Sequence, residues 1–332
     1  MKKDANWLCF LFFIPFILAC HSNRLVRLVV LPDTQSYMVA DPGIFRQQVE
    51  WIAGQSARID FVLHEGDITQ NNNDEEWKTA AEILAKLDDL VPYSFVPGNH
   101  DMGSAPGKFA DNRNTDLMNK YLPYAKFRQF PYFGGAFEEG KMDNTWSQFS
   151  KGGQEWLVMS LEFGPRDEVL EWASDVIGRH PDHLVIINTH AYLYSDNTHH
   201  GSDPSHKHVV RNYGIGKVPA GPEYANEGIE VWEKLVHKHA NILFVFNGHV
   251  TAGSGVGHLV SEGDHGNQVY QMLANYQKEI ADSEGGTTGN LRIVTIDKKS
   301  GSVQVKTYSP TRGKFRRDDG HEISFENIRF RR

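Results

Sequence analysis

Cysteine is almost absent from this chain of 332 residues, occurring only as Cys9 and Cys20. Cys9 lies inside an apolar N-terminal run, so the body of the protein has no pair for a disulfide and no thiolate for a metal. Any metal site must use oxygen and nitrogen donors. Positive charge is also in short supply. Lys and Arg number 34 against 42 Asp and Glu, a net charge of -8, and this disfavours duplex DNA or RNA as the main partner. Internal repeats, low-complexity tracts and linkers are missing too. With 40% hydrophobic and 23% charged residues, the composition is that of an ordinary globular chain, and one mature domain over residues 20–332 is expected.

No apolar run is long enough to cross a bilayer comfortably. The longest, Trp7–Ala19, follows Lys2 and Lys3 and reads as the n- and h-regions of a secretory signal. It ends Ile17-Leu-Ala-Cys20, which resembles the lipobox of bacterial lipoproteins. That resemblance implies removal of residues 1–19 and a lipid on Cys20. The product would be exported to a bacterial cell envelope, anchored to a membrane and facing the periplasm or exterior. An uncleaved anchoring helix is the competing reading.

What the chain does have is an alternation of strand and helix patterns. Arg24–Leu31 is a β-branched strand, Ile44–Gln55 has helical spacing, and Asp60–His64 is a second strand. Glu75–Leu90 is an amphipathic helix with acids in its first turn, and Tyr93–Val96 is a third strand. This βαβαβ opening predicts a parallel sheet with right-handed crossovers. Thr145–Glu162 reads as a hairpin around Lys151-Gly-Gly153. Asp167–Ile177 and Gly228–His239 read as helices, His183–Asn188 and Ile242–Phe246 as strands. The C-terminal third reads as strands at Gln268–Leu273, Leu291–Ile296, Ser302–Tyr308 and Ile323–Phe330.

Polar residues gather where five of these strands end: Pro32-Asp33-Thr34-Gln35, Gly66-Asp67, Gly98-Asn99-His100-Asp101, Thr189-His190 and Gly248-His249-Val250-Thr251. Each alone reads as a turn or a helix cap. Together, in this order, they point to one site at the carboxyl edge of an α/β sheet. The set resembles the signature of the calcineurin-like metallophosphoesterase superfamily: D-x-H, G-D, G-N-H-[DE], a lone His, and G-H-x-H. It is most similar to a bacterial secreted branch whose first motif is Pro-Asp-Thr-Gln. Asn275-Tyr-Gln277 and Gly289–Ile296 are also similar to that branch. The resemblance spans about residues 25–308. It implies a four-layer α/β/β/α double β-sandwich of mixed sheets, with the site at the strand C-terminal ends.

The resemblance also implies roles. Asp67 would bridge two divalent ions; Asn99, His190 and His249 would complete the shell of the second, and Asp33 and Gln35 would hold the first. His100 would stabilise phosphoryl oxygens or protonate the leaving group, with Asp101 orienting its ring. Two ions about 3.5–4 Å apart polarise a phosphoryl group and lower the pKa of a water that attacks in line. Cofactors would be two divalent ions among Mn, Mg, Fe and Zn. The substrate would be a small phosphate mono- or diester, since bound cations supply positive charge whatever the net balance.

Two positions depart from the pattern. Gln35 and Thr251 stand where the superfamily has imidazoles, both on the first ion, so that site should be oxygen-rich and favour Mn or Mg. His258 or His265 could supply the missing imidazole, although ordinary surface histidines are the simpler reading. The loop Tyr192–Glu227 is long, and long loops often carry function. Lys207 and Arg211 within it could meet phosphate. His64 and Glu65 could hold a ligand in place, or simply form a buried pair. Asn71-Asn-Asn73 reads as turn and helix-cap chemistry, and the tryptophans at 146, 156, 172 and 232 as core. A degenerate fold serving as a binding lipoprotein, with one weakened metal site and no turnover, is the main competing function. A sulfate esterase is a third.

Overall fold

The computed structural model describes residues 25–281 and 288–330. The expected leader at 1–19 and the expected lipid acceptor Cys20 lie outside the described residues. Among those described, no helix is long and apolar enough to cross a membrane.

The strands in chain order are β1 (Leu25–Leu31), β2 (Phe61–His64), β3 (Tyr93–Phe95), β4 (Phe133–Ala136), β5 (Thr145–Lys151), β6 (Gln154–Leu161) and β7 (His183–Thr189). They continue as β8 (Ile242–Asn247), β9 (Val256–Glu262), β10 (Gln268–Ala274), β11 (Leu291–Asp297), β12 (Ser302–Ser309), β13 (Lys314–Arg316) and β14 (Glu322–Phe325). One sheet has the order β13-β12-β11-β1-β2-β3, with β14 also on β12; the other runs β4-β5-β6-β7-β8-β10-β9. The parallel opening is observed: β1 pairs parallel with β2, and β2 with β3. In the second sheet β6, β7, β8 and β10 are parallel.

Strand alternation explains the layers. Along β1, Val26, Leu28 and Val30 face the second sheet, where they meet Trp156, Val158, Ile186 and Phe244. Val29 and Leu31 point the other way, onto helices α1 (Gln35–Ala40), α2 (Pro42–Gly54) and α3 (Asp74–Leu84). The outer face of the second sheet, with Leu157, Val185 and Val245, is covered in the same way. Short helices α4 (Asp116–Tyr121) and α5 (Tyr124–Phe127) extend the first helical layer. Helices α6 (Asp167–Gly178) and α7 (Gly228–Lys234) form the second. This is the expected α/β/β/α double sandwich, and burial of three apolar faces drives it.

Local chemistry sets the helix starts. Asp41 accepts from Gly43 N at 2.9 Å ahead of Pro42 at the first position of α2. Asn73 accepts from Glu76 N at 2.9 Å to cap α3, as its sequence suggested. Two helices end earlier than expected. That begun at Glu75 stops at Leu84 and tightens into a 3-10 turn at Ala85–Leu87. Asp89 then takes φ 58° just ahead of Pro92, a proline that would not have extended a helix. That begun at Gly228 stops at Lys234, and a 3-10 turn follows at Val236–Lys238. Expected strand Ile323–Phe330 is paired only over Glu322–Phe325.

Candidate metal centre

The five motifs meet at the C-terminal ends of β1, β2, β3, β7 and β8, so both sheets contribute. The turns that bring them together are strained and tightly packed. Asp67 and His249 both have positive φ, 48° and 68°, which non-glycine residues adopt only when their surroundings enforce it. Part of the cause is visible: the amides of Thr34 and Gln35 donate to the Asp67 carbonyl at 3.0 and 2.9 Å. A Cβ on Gly98 would run into the Asp67 carboxylate, and one on Gly248 into Asp33. Only glycine permits these approaches.

The centre is built on two imidazoles fixed from outside. His190 donates from Nδ1 to the Glu65 carbonyl at 2.8 Å, and His249 from Nε2 to the His208 carbonyl at 2.8 Å. Each inner nitrogen is therefore the one that presents a lone pair when its ring is neutral, and the two lie 3.2 Å apart. Nε2 of His190 is also 3.2 Å from Asn99 Oδ1 and 3.2 Å from Asp67 Oδ1. Among the described residues, Asp67, His190 and His249 form the group whose donor atoms all lie within 4.8 Å of one another. Four buried acceptors facing each other repel unless positive charge sits among them. The donor set therefore fits a divalent cation held by nitrogen and oxygen.

The same demand shows in the titration of the side chains. Burial works against a charged His190, yet the Asp67 carboxylate beside it wins and raises it to about 9. Burial likewise opposes ionised Asp67, but His190 and then His100 hold it well below the ordinary carboxylate range. His249 is pushed far down by burial and by its neighbour His190. Burial lifts Asp33 to about 7, with His190 opposing and Asp67 adding.

Asp33 and Gln35 lie against the other side of Asp67. Gln35 donates from Nε2 to Asp67 Oδ2 at 2.8 Å, and its Oε1 is buried with no protein partner. Asp33 accepts from His249 N at 3.1 Å and from Asn275 Nδ2 at 2.8 Å. An orphaned amide oxygen beside two carboxylates is a donor set suited to a hard cation. Thr251 is half-buried; its carbonyl accepts from Lys278 Nζ at 3.1 Å, and it borders a cleft of about 470 Å³ with Asn275 and Arg316.

His100 lies at the mouth of the site. Its amide donates to Asp67 Oδ1 at 2.8 Å and its Nδ1 pairs with the Gln70 carbonyl at 2.8 Å. That leaves Nε2, 4.0 Å from Asp67 Oδ2, for a substrate. The expectation for Asp101 needs correction: it does not orient the His100 ring. Its carboxylate accepts from the amides of Ile68 and Thr69 at 2.9 Å and of Gly98 at 3.0 Å, and from the Thr69 hydroxyl at 2.9 Å. It ties the second motif to the third.

Other candidates divide. Arg211 is turned onto Glu227 and Glu230, at 3.8 and 3.5 Å, instead of toward the centre. Lys207 is exposed, and its carbonyl accepts from His200. His258 packs on Phe325, and His265 pairs with the Lys238 carbonyl, so neither replaces an imidazole at the centre. His64 pairs with Thr34 Oγ1 at 3.1 Å and accepts from Gly66 N at 3.3 Å. Glu65 is buried with both carboxylate oxygens lacking a protein partner, and burial, reinforced by Asp33, pushes its pKa far up.

Several neighbours escaped the sequence reading. Phe109 packs against His100 with the rings tilted by 33° and 4.0 Å between their centroids. Phe163 lies 5.6 Å from His190 and 5.2 Å from His249, and Tyr213 meets it edge-on at 5.1 Å. Nothing in local spacing marks an aromatic as facing a site. Asn275 had a signal, the Asn-Tyr-Gln stretch, but its bond to Asp33 spans 242 positions.

The sequence profile of the family described as Calcineurin-like phosphoesterase matches residues 26–250. Over 289 residues the chain is 29% identical to the "Uncharacterized protein YvnB" of Bacillus subtilis (strain 168), covering 85% of this chain and 20% of that protein. It is 28% identical over 131 residues to the "Probable glycerophosphodiester phosphodiesterase GpdQ" of Arcobacter nitrofigilis, covering 40% of this chain and 41% of the other. The chain thus spans about a fifth and two fifths of these relatives. Among solved structures, purple acid phosphatase PPD1 from yellow lupin (Lupinus luteus) seeds is similar in fold. Its TM-score is 0.52 at 14% identity, covering 91% of this chain and 54% of that one.

Proposed function

We propose, from the premise that the chain belongs to the calcineurin-like phosphoesterase family, that it hydrolyses phosphate mono- or diesters with two divalent ions. The observation that carries this reading is the convergence of His190 Nε2, His249 Nδ1, Asn99 Oδ1 and Asp67 Oδ1, each imidazole locked from outside by a backbone carbonyl. These four atoms would hold one ion; Asp33, Gln35 and the second oxygen of Asp67 would hold the other. A divalent pair, when bound, supplies Lewis acidity toward phosphoryl oxygens and a water acidic enough to act as nucleophile near neutral pH. The chain's own contribution is placement. Asp67 would join the two positions, His190 and His249 would present fixed lone pairs, and the carbonyl of Gln70 takes the Nδ1 proton of His100, so that its imidazolium form has Nε2–H free to give a hydrogen bond or a proton to a leaving oxygen. Phe109 and Tyr213 flank the approach and limit water.

Gln35 is already in place to contribute a neutral oxygen, which supports Mn or Mg at the first position; a contribution from Thr251 belongs to the same proposal. Export and a lipid anchor on Cys20 are part of it too, and rest on the sequence of residues 1–20 alone. The relative named a probable glycerophosphodiester phosphodiesterase makes diesters worth testing first. The test is turnover of aryl phosphate mono- and diesters by protein stripped of metal and reloaded with Mn²⁺, Mg²⁺ or Zn²⁺. Turnover that His249→Ala abolishes is expected. No turnover with any of these ions, at measured occupancy of both positions, would leave the binding-protein reading in its place.

A further inference from the structure

The loop between Tyr192 and Glu227 does not send Arg211 to the candidate metal centre but turns it onto Glu227 and Glu230. Glu227 is fully buried immediately before α7, where its own amide donates to Glu230 at 2.9 Å. Its carboxylate accepts from two consecutive backbone amides, Val210 N at 3.0 Å and Arg211 N at 2.9 Å. Gly201 makes room for it, since a Cβ there would stand 2.7 Å from Glu227 Cβ. A buried carboxylate needs such donors, and two amides held by one rigid acceptor fix the local path of the chain.

That path leads directly to the centre. Two residues before Val210 is His208, held at φ 59° with its ring exposed. Its carbonyl accepts from Nε2 of His249 at 2.8 Å. The hydrogen bond decides which nitrogen of His249 carries the proton and turns Nδ1 toward His190. We propose that Glu227 is the positioning residue for His249: by gripping the amides after His208 it sets the carbonyl that fixes the ring's tautomer and direction. His208 acts through its main chain, and its imidazole is incidental. The consequence for metal binding rests on the function proposed above, and partners of ligating histidines commonly affect affinity about 10–100-fold.

The experiment uses the full mature chain and two readouts. ¹⁵N NMR of the His249 ring in chelator-treated protein reads the tautomer without any metal, and titration with Co²⁺ against a competing chelator reads affinity. In wild type a single form protonated at Nε2 is expected. Glu227→Ala should give mixed tautomers and Co²⁺ binding weaker by about 10–100-fold, with Glu227→Gln recovering part of both because it retains an acceptor oxygen. His208→Gly should match wild type, since glycine takes the left-handed backbone and keeps the carbonyl, while His208→Val should behave like Glu227→Ala. If Glu227→Ala does not fold, the two His208 variants decide. An unchanged tautomer in Glu227→Ala, or equal damage from His208→Gly and His208→Val, overturns the proposal. A wild type with the fixed tautomer but no affinity for divalent ions overturns the metal reading alone, and the tautomer in the Glu227 variants still decides the role of Glu227.

Discussion

At the residue scale, catalytic and supporting groups can be told apart by what their atoms touch. His100 presents a free Nε2 at the mouth of the site. His100→Ala is therefore expected to lower kcat by about 10²–10⁴ while leaving metal content unchanged, as steady-state kinetics and elemental analysis would show. His64 is a supporting group, and its pH behaviour identifies it. Burial, then the neighbouring His190, lower its pKa to about 3, whereas in the unfolded chain it titrates near 6.5. The unfolded state thus binds the extra proton between those values, so the stability from neutral His64 is complete above about pH 6.5 and is lost as pH falls toward 3. Asp33, lifted to about 7, works in the opposite sense over part of that range, so the whole-protein curve is not the readout. The difference between wild type and His64→Gln is. His64→Gln should be destabilising at pH 7, and the gap should narrow by up to about 1.4 kcal/mol per pH unit below 6.5, measured by urea unfolding.

At the scale of elements, the strand ends matter more than the strands. The second and third motifs are joined through Asp101, which serves three amides and a hydroxyl. Asp101→Ala would leave those buried donors unpaired and should cost about 3–5 kcal/mol in urea unfolding, a larger effect than on the His100 ring itself. Most elements were legible because their apolar faces repeat at period 2 or 3.6: β1 alternates between two cores, and α6 buries Val169, Leu170, Ala173, Val176 and Ile177. The strands that escaped, β4, β9 and β13, are edge or near-edge pieces. β9 buries little beyond its first residues, and β4 contains Gly134 and Gly135. Such strands exist because a neighbour offers hydrogen bonds, which local pattern does not record.

At the scale of the whole molecule, the centre ties the two sheets together, with Asp33, Asp67 and Asn99 from one and His190 and His249 from the other. An ion bound there links both halves of the sandwich, so binding should stabilise the folded state as a unit. At about 100 times its Kd, Mn²⁺ is expected to add about 2.7 kcal/mol, seen as a higher Tm that chelator reverses and that His249→Ala lacks. The sequence by itself determined the layered α/β fold and the order of five polar strand ends, because both are written in local periodicity and in short motifs with glycine beside the key residue. It also singled out Asp33, Gln35, Asp67, Asn99, His190 and His249 as one group. Only the tertiary structure decided how they are held. It assigned Asp101 to the scaffold and turned Arg211 onto Glu227 and Glu230. It brought Asn275 to Asp33 and the carbonyl of His208 to His249. Those pairings join residues 16 to 242 positions apart or run through backbone atoms that every residue shares, and a linear pattern carries no mark of either.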